Sequence, residues 1–306
     1  MKIIEIDVQN LIVEPNPGIN LCLGYFDGVH RGHLEIINKA LAEGDTGVMT
    51  FDVSPNYVLK KAPNDLFLTS LYDKANILRS LGVKYLYILR MSQDLLNYSV
   101  NEFLDLLKTI GPKKIFVGDD YRFGHYAAGS PKDLKEIAEV DVTPLKQEDG
   151  RKISSRTIKE LVSQGDVEQA NELLSRPYTI TGLVVEGDHF GTKIGFPTAN
   201  LELDYPYVLP AIGVYMGFVK LLNSKYKALI CVSTHPTIMQ LNRPLIEVHL
   251  ISYKGDLYGR EIDVQFIKYM RNVFKFDTVE ELTEQIQKDR DEAKKTLQLW
   301  KAITSL

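Results

Sequence analysis

The chain has 306 residues, 44% hydrophobic and 25% charged, which is enough material for two ordinary globular cores. Its formal net charge of -4 lacks the basic footprint that duplex binding requires, so nucleic acid is not an expected partner. No apolar leader follows the opening Met1-Lys2-Ile3-Ile4-Glu5-Ile6-Asp7, and no run of about 18 apolar residues occurs, so the expectation is a cytoplasmic protein with no membrane partner.

From Asn20 to Pro144, short apolar runs alternate with helical patterns. The runs are Leu21-Cys22-Leu23, Val48 to Phe51, Tyr85 to Leu89, Ile115 to Val117 and Val140 to Val142. This alternation predicts a doubly wound, parallel α/β sheet of Rossmann-like type. A helix is marked by the Ser99/Glu102 capping box, by the stripe Phe103, Leu106, Leu107 and Ile110, and by the stop at Gly111-Pro112; a fainter helix covers Asp73 to Ser80. A helical stretch from Arg156 to Leu174 follows, and the pattern changes at Arg176-Pro177. The domains are therefore expected at 1–175 and 176–306. In the second, strands are predicted at Tyr178 to Val185, Val214 to Leu222, Tyr226 to Val232, Leu245 to Ile251 and Ile262 to Lys268, with turns at Asn223-Ser224 and Lys254-Gly255. They predict a small antiparallel β-barrel or sandwich. A C-terminal helix, opened by Thr278 and Glu281, lays Val279, Leu282, Ile286, Ala293, Leu297 and Trp300 against it. The two cysteines, Cys22 and Cys231, flank no CxxC and are expected as small buried hydrophobes.

Gly24-Tyr25-Phe26-Asp27-Gly28-Val29-His30-Arg31-Gly32-His33 joins the first apolar run to a helical pattern. Such a turn aims free backbone N–H groups and a helix dipole at a bound anion, for which phosphate is the natural guest. His30 and His33, three apart, share one face and can donate to the same anion, which suits the charge that develops in adenylyl transfer. A bland turn with surface histidines is the alternative reading, and zinc is disfavoured because HxxH lacks the Glu of HExxH. No Walker A or GxGxxG is present. In the second half, Gly187-Asp188-His189-Phe190-Gly191-Thr192-Lys193-Ile194-Gly195-Phe196-Pro197-Thr198-Ala199-Asn200 can form a lysine-bearing loop over nucleotide phosphates, with the Thr198 hydroxyl on Mg²⁺; a plain barrel loop is the alternative. Alternation puts Glu247 on one face with Leu245, His249 and Ile251, either as a general base among aliphatic neighbours or as an outward carboxylate.

The first segment resembles the HxGH motif, in the form G-x-F-D-G-V-H-x-G-H, of bacterial bifunctional riboflavin kinase/FMN adenylyltransferases. Val117 to Gly124 is similar to that family's G-x-D-F-x-F-G, Ile153 to Lys159 to its I-S-S-T-x-I-R, and Phe51 to Pro55 stands in the place of F-x-P-H-P. Gly195-Phe196-Pro197-Thr198-Ala199-Asn200 resembles its G-x-P-T-A-N flavokinase signature. Gly255 to Gly259, and Arg271 with Lys275-Phe276, also match.

The resemblance implies an enzyme that phosphorylates riboflavin to FMN and adenylylates FMN to FAD, using ATP and Mg²⁺. His30 and His33 would then stabilise the ATP phosphates, inside a site that includes Gly24, Phe26, Asp27, Gly28, Gly32 and Asp120, with Ser154, Ser155 and Lys159 on the triphosphate. Thr198 and Asn200 would hold Mg²⁺ and ATP, and Gly187, Lys193, Gly195 and Pro197 would form the phosphate loop. Glu247 would activate the ribityl 5′-hydroxyl, and Arg271 would border the site.

The chain departs from the family pattern at Val53 and Ser54, and at Lys159, which replaces a planar guanidinium fork by a point charge. It departs again at Cys231 and Ser233 within Cys231-Val232-Ser233-Thr234-His235-Pro236-Thr237, at Ser252 and at Val273. The alternatives carried alongside are a chain that keeps one of the two activities, and a flavin- or nucleotide-binding protein without turnover.

Overall fold

The computed structural model describes residues 1–10, 13–59, 65–144, 147–148, 151–187, 189–222, 224–233 and 245–304. Asp188, Asn223 and the stretch 234–237 of the family signature lie outside them. The chain divides into two units, Met1–Thr157 and Ile158–Leu306.

In the first unit, six strands form one parallel sheet in the order β1-β4-β3-β2-β5-β6. They are β1 (Lys2–Ile6), β2 (Asn20–Leu23), β3 (Thr46–Phe51), β4 (Tyr85–Leu89), β5 (Lys114–Gly118) and β6 (Glu139–Thr143). The helices are α1 (Arg31–Glu43), α2 (Pro55–Val58), α3 (Leu71–Ser80), α4 (Gln93–Asn97), α5 (Val100–Ile110) and α6 (Pro131–Leu134), followed by a short hairpin of β7 (Gln147–Glu148) and β8 (Arg151–Lys152). One face of the sheet packs on the predicted stripe of α5, Phe103, Leu106, Leu107 and Ile110. The other packs on Ile36, Ile37 and Ala40 of α1 and on Ala75 and Leu78 of α3. Helices on both faces leave β2 buried along its whole length, as a central parallel strand should be. Strand order reverses between β2 and β5, so the crevice beyond their carboxyl ends is the topological switch point where open α/β sheets bind ligands.

Helix α7 (Ser155–Ser163) runs across the division between the units and α8 (Val167–Leu174) follows. The single helical stretch expected over 156–174 is thus broken in two. Gly165, at φ +85°, ends the first helix, and the Asp166 carboxylate caps the second by accepting from the Gln169 amide at 3.1 Å. The second unit is a closed antiparallel barrel in the order β10-β13-β12-β11-β14-β9. Its strands are β9 (Tyr178–Val185), β10 (Ala199–Glu202), β11 (Gly213–Leu221), β12 (Ser224–Ser233), β13 (Leu245–Leu250) and β14 (Glu261–Arg271), with a helical turn α9 (Phe190–Lys193) and the long α10 (Val279–Thr304). The closing strand, β10, was not expected: it is short and follows Gly195 and Pro197, so its sequence reads as loop.

The barrel interior is filled by Val184, Ala199, Leu201, Ile230, Val232, Ile246 and Val248. On the outer wall, Ala293 and Leu297 of α10 are fully buried against Met216, Phe218, Leu229, Ile251 and Ile267, with Ile286 and Trp300 packed alongside. Val279 and Leu282, assigned to the same stripe, lie outside that cluster, and Val279 is exposed. At the start of α10, the Thr278 hydroxyl accepts the Glu281 amide at 3.2 Å, but the Glu281 carboxylate takes the Asp277 amide, so only half of the capping box forms.

Candidate active sites

In the α/β unit the segment after β2 makes a tight 3₁₀ turn, Asp27–Val29, directly into α1. Its backbone is strained: Phe26 and the β-branched Val29 both have positive φ, 54° and 40°, on either side of Gly28 at 78°. A β-branched residue at positive φ is a true outlier, and such strain persists where the surroundings over-determine it. Here the surroundings are specific. The buried Asp27 carboxylate accepts the amides of Leu68 and Thr69 at 3.0 and 3.2 Å, while the Thr69 hydroxyl accepts the Gly28 amide at 3.1 Å. From the other side, the Ser155 hydroxyl donates to the Asp27 carbonyl at 2.8 Å, which joins the Ile153 to Thr157 segment to the turn.

His30 and His33 meet as the spacing predicts. Their rings stack with centroids 3.6 Å apart, and His30 is buried. His30 also caps α1, its Nδ1 accepting the His33 amide at 3.4 Å, so in the neutral ring the proton sits on Nε2 and points away from the helix. Phe26 packs edge-on against His33. Gly24 and Gly32 lie tight against the Phe26 and His30 rings. Asp120, just beyond β5, forms an exposed ion pair with Lys152 at 3.0 Å. The Ser154 hydroxyl caps α7 by accepting the Thr157 amide at 3.2 Å, and Lys159 lies one turn beyond Ser155 on that helix. Of the departing residues, Ser54 is buried and Val53 follows Asp52, whose carboxylate accepts the Val53 and Met91 amides.

Sequence reasoning missed the scaffold of this turn, namely Thr50, Thr69 and Lys74. The Lys74 ammonium is buried, donates to the Tyr25 carbonyl at 2.6 Å and to Thr50 Oγ1 at 3.1 Å, and lies 4.3 Å from the Tyr25 ring centre. Burial lowers its pKa to about 8, against the opposing pull of the Asp27 carboxylate. Only a lysine amid a helical pattern marked it in the sequence.

In the barrel unit the site is a matter of register. Val185, Asn200, Glu247, Cys231, Val214 and Arg271 are paired in succession, one from each of the six strands. Directly opposed residues of antiparallel strands share a face. All six line a cavity of about 810 Å³ on the outer wall, bordered by Leu282, Ile286 and Asp289 of α10. The aromatic side chains of Phe190, Phe196, Phe274 and Phe276 also line it. A second hollow of about 270 Å³, lined by Thr192, Pro197 and residues of the turn 253–258, shares Thr198 with the first. Gly187 is required for a spatial reason: a Cβ there would collide with the Asn200 amide. Lys193 ends α9, and Gly195 turns the chain back at φ +84°.

Leu245, Glu247 and His249 line the cavity together, as alternation predicts, whereas Ile251 falls beyond β13 and packs under α10. His249 is buried, packs edge-on to Phe196, and its Nδ1–H donates to the Pro197 carbonyl at 2.9 Å. Burial holds its pKa below the usual histidine value, with the charges of Arg290 and Lys294 acting in the same direction. Arg271 lines the wall, but its guanidinium grips Asp289 of α10 through Nε and Nη2, at 3.0 and 2.7 Å, where Gln285 also donates to the carboxylate. Cys231 is half-buried, Cys22 fully so; burial first, then the nearby Glu247 carboxylate, push the Cys231 thiol up to about 11. Ser233 and Val273 line the same cavity, while Ser252 lines a different groove beside α10.

The two families matched by the α/β sheet and the closed barrel define a transferase of phosphorus-containing groups. Residues 13–157 match the FAD synthetase family model and residues 174–297 the riboflavin kinase model. The bifunctional riboflavin kinase/FMN adenylyltransferase of Bacillus subtilis is 37% identical over 93% of this chain and 94% of its own; that of Escherichia coli K12 is 35% identical over 94% and 96%. A crystal structure described as a macrolide-efflux protein from Streptococcus pneumoniae superposes with a TM-score of 0.87 at 32% identity, covering 95% of this chain and 99% of that one. Among the described residues no helix is long and apolar enough to cross a membrane. The chain belongs to the bifunctional riboflavin kinase/FMN adenylyltransferase family and is an enzyme of FAD biosynthesis.

Proposed function

We propose that the kinase reaction runs in 176–306 and the adenylyl transfer in 1–175, with the residues named above in the following roles. In the barrel, riboflavin occupies the larger cavity between the phenylalanines, and ATP approaches through the smaller hollow. The observation that carries this reading is that Glu247 faces Asn200 in register, beside a Thr198 that both hollows share. Glu247 accepts the proton of the ribityl 5′-hydroxyl as its oxygen attacks the γ-phosphorus; the bond to the β-bridging oxygen breaks, and FMN and ADP result. Lys193 and the N–H groups of 189–195 hold the phosphates.

Magnesium favours hard oxygen ligands and binds through few protein groups plus substrate phosphates. The Thr198 hydroxyl and the Asn200 side-chain oxygen suit it, and among the described residues no cluster of three or more His, Cys, Asp or Glu offers an all-protein cage. When bound, it neutralises phosphate charge during transfer.

In the α/β unit, an FMN phosphate oxygen attacks the α-phosphorus of ATP, pyrophosphate leaves, and FAD forms. The His30 Nε2–H, His33 and the turn amides stabilise the charge on the phosphate oxygens, while Ser154, Ser155 and Lys159 hold the departing end. The test supplies ATP and Mg²⁺ with riboflavin in one reaction and FMN in another, and separates the flavins by chromatography. FMN and FAD from the first, and FAD from the second, are expected. Flavin binding without either product would replace this reading by a binding protein.

A further inference from the structure

Lys74 is the buried charge that the roles above leave unused. It is 3% exposed, and both of its hydrogen bonds go to neutral oxygens. These close a triangle, because the Thr50 hydroxyl also donates to the Tyr25 carbonyl, at 2.8 Å. A lysine is almost never buried without a task, since burial disfavours its charged form.

The geometry suggests that task. A trans peptide is planar and its C=O and N–H point in opposite directions. Pinning the Tyr25 carbonyl on Lys74 and Thr50 therefore turns the Phe26 N–H the other way, away from Lys74 and Thr50. That N–H has no hydrogen-bond partner among the described residues. It opens the strained stretch Phe26 to Val29 that leads into His30. We propose that Lys74 is the positioning residue of adenylyl transfer: its ammonium fixes the Tyr25–Phe26 peptide so that the Phe26 N–H is presented to the nucleotide, and sets a positive charge behind the turn.

This rests on reading the turn as the ATP site. The groups around Lys74 are the Asp27 carboxylate and the Tyr25 ring from the turn, and Thr50 from β3; Asp73 precedes it on α3 but serves the Ser70 cap, and His30, Arg31 and His33 are the other titratable groups of the turn. Because the ammonium loses its proton near pH 8, its contribution is present below that value and fades above it.

The experiment measures FAD formation from FMN and ATP with the full chain, beside FMN formation from riboflavin. A wild-type chain that makes FMN but no FAD overturns the reading of the turn, and this inference with it; one that makes FAD isolates Lys74. Lys74→Met is then expected to lower kcat for FAD by about 100-fold, the scale of losing a preorganised donor, with the KM for ATP moved by less than about threefold and FMN formation unchanged. Lys74→Arg should recover to within about tenfold of wild type, since a guanidinium can keep both the charge and the bond to the carbonyl. In the wild type, kcat for FAD should fall as pH rises through about 8, and Lys74→Arg should lack that decline. A methionine variant within threefold of wild type overturns the assignment, as does an arginine variant no better than methionine. Should the methionine variant fail to fold, the pH profiles decide: a wild type without the decline, or an arginine variant that retains it, also overturns the assignment.

Discussion

In the α/β unit the candidate site centres on one turn, Gly24 to His33, with strained φ angles and a capped helix start, to which Asp120, Ser154, Ser155 and Lys159 are added from beyond β5 and from the start of α7. In the barrel they are spread from Val185 to Arg271 and meet only because six strands keep register. One site is built around a run of consecutive residues and the other from the topology. A local site is robust to the fold around it once its anchors hold, whereas a register site depends on every pairing between its members.

Separable damage is the sharpest way to break this comparison. Glu247→Gln keeps the side-chain shape and removes the base, so FMN formation should fall by about 10³-fold with FAD formation from supplied FMN intact. His30→Ala should lower FAD formation by about 10²-fold and spare FMN formation. Equal loss of both activities in either variant, with the fold intact, would contradict two independent sites. Next in size is a stability effect confined to the barrel: Asp289→Ala strands the Arg271 guanidinium and should cost about 3 kcal/mol, read as a lower denaturant midpoint for that unit. The smallest concerns Cys231. Its thiol is held protonated well above pH 8, so alkylation at that pH should be at least about tenfold slower than for an exposed cysteine, accelerate towards pH 11, and remove FMN formation alone as the label enters the cavity.

The contrast also governs what could be read in advance. Strands β2 to β6, α5 with its cap, and five of the six barrel strands follow directly from apolar period and punctuation. The His30/His33 pair is legible because helix geometry brings positions three apart together. Edge strand β1 went unread beside its stronger neighbours, and β10 because Gly195 and Pro197 disguise its start. Glu247 could be placed on the right face by alternation, but its partner Asn200 could not, since pairing across strands is a property of the closed barrel. Asp27 is legible as part of the glycine-rich turn, but its hold on the Leu68 and Thr69 amides is not, because those residues are distant in sequence. Lys74 and Thr69 carried no local signal because their roles come from long-range contacts. Arg271 shows the same limit: its position at the cavity was readable, its grip on Asp289 was not.

The closed barrel has a consequence for how this chain can change over time. With every strand paired on both sides, a single-residue insertion or deletion within β13 cannot be absorbed at a free edge. It would exchange the two faces of the strand, sending Glu247 inward among Ile230 and Val232 and turning Val248 out into the larger cavity. Length variation within β13 should therefore survive only in steps of two residues, or not at all.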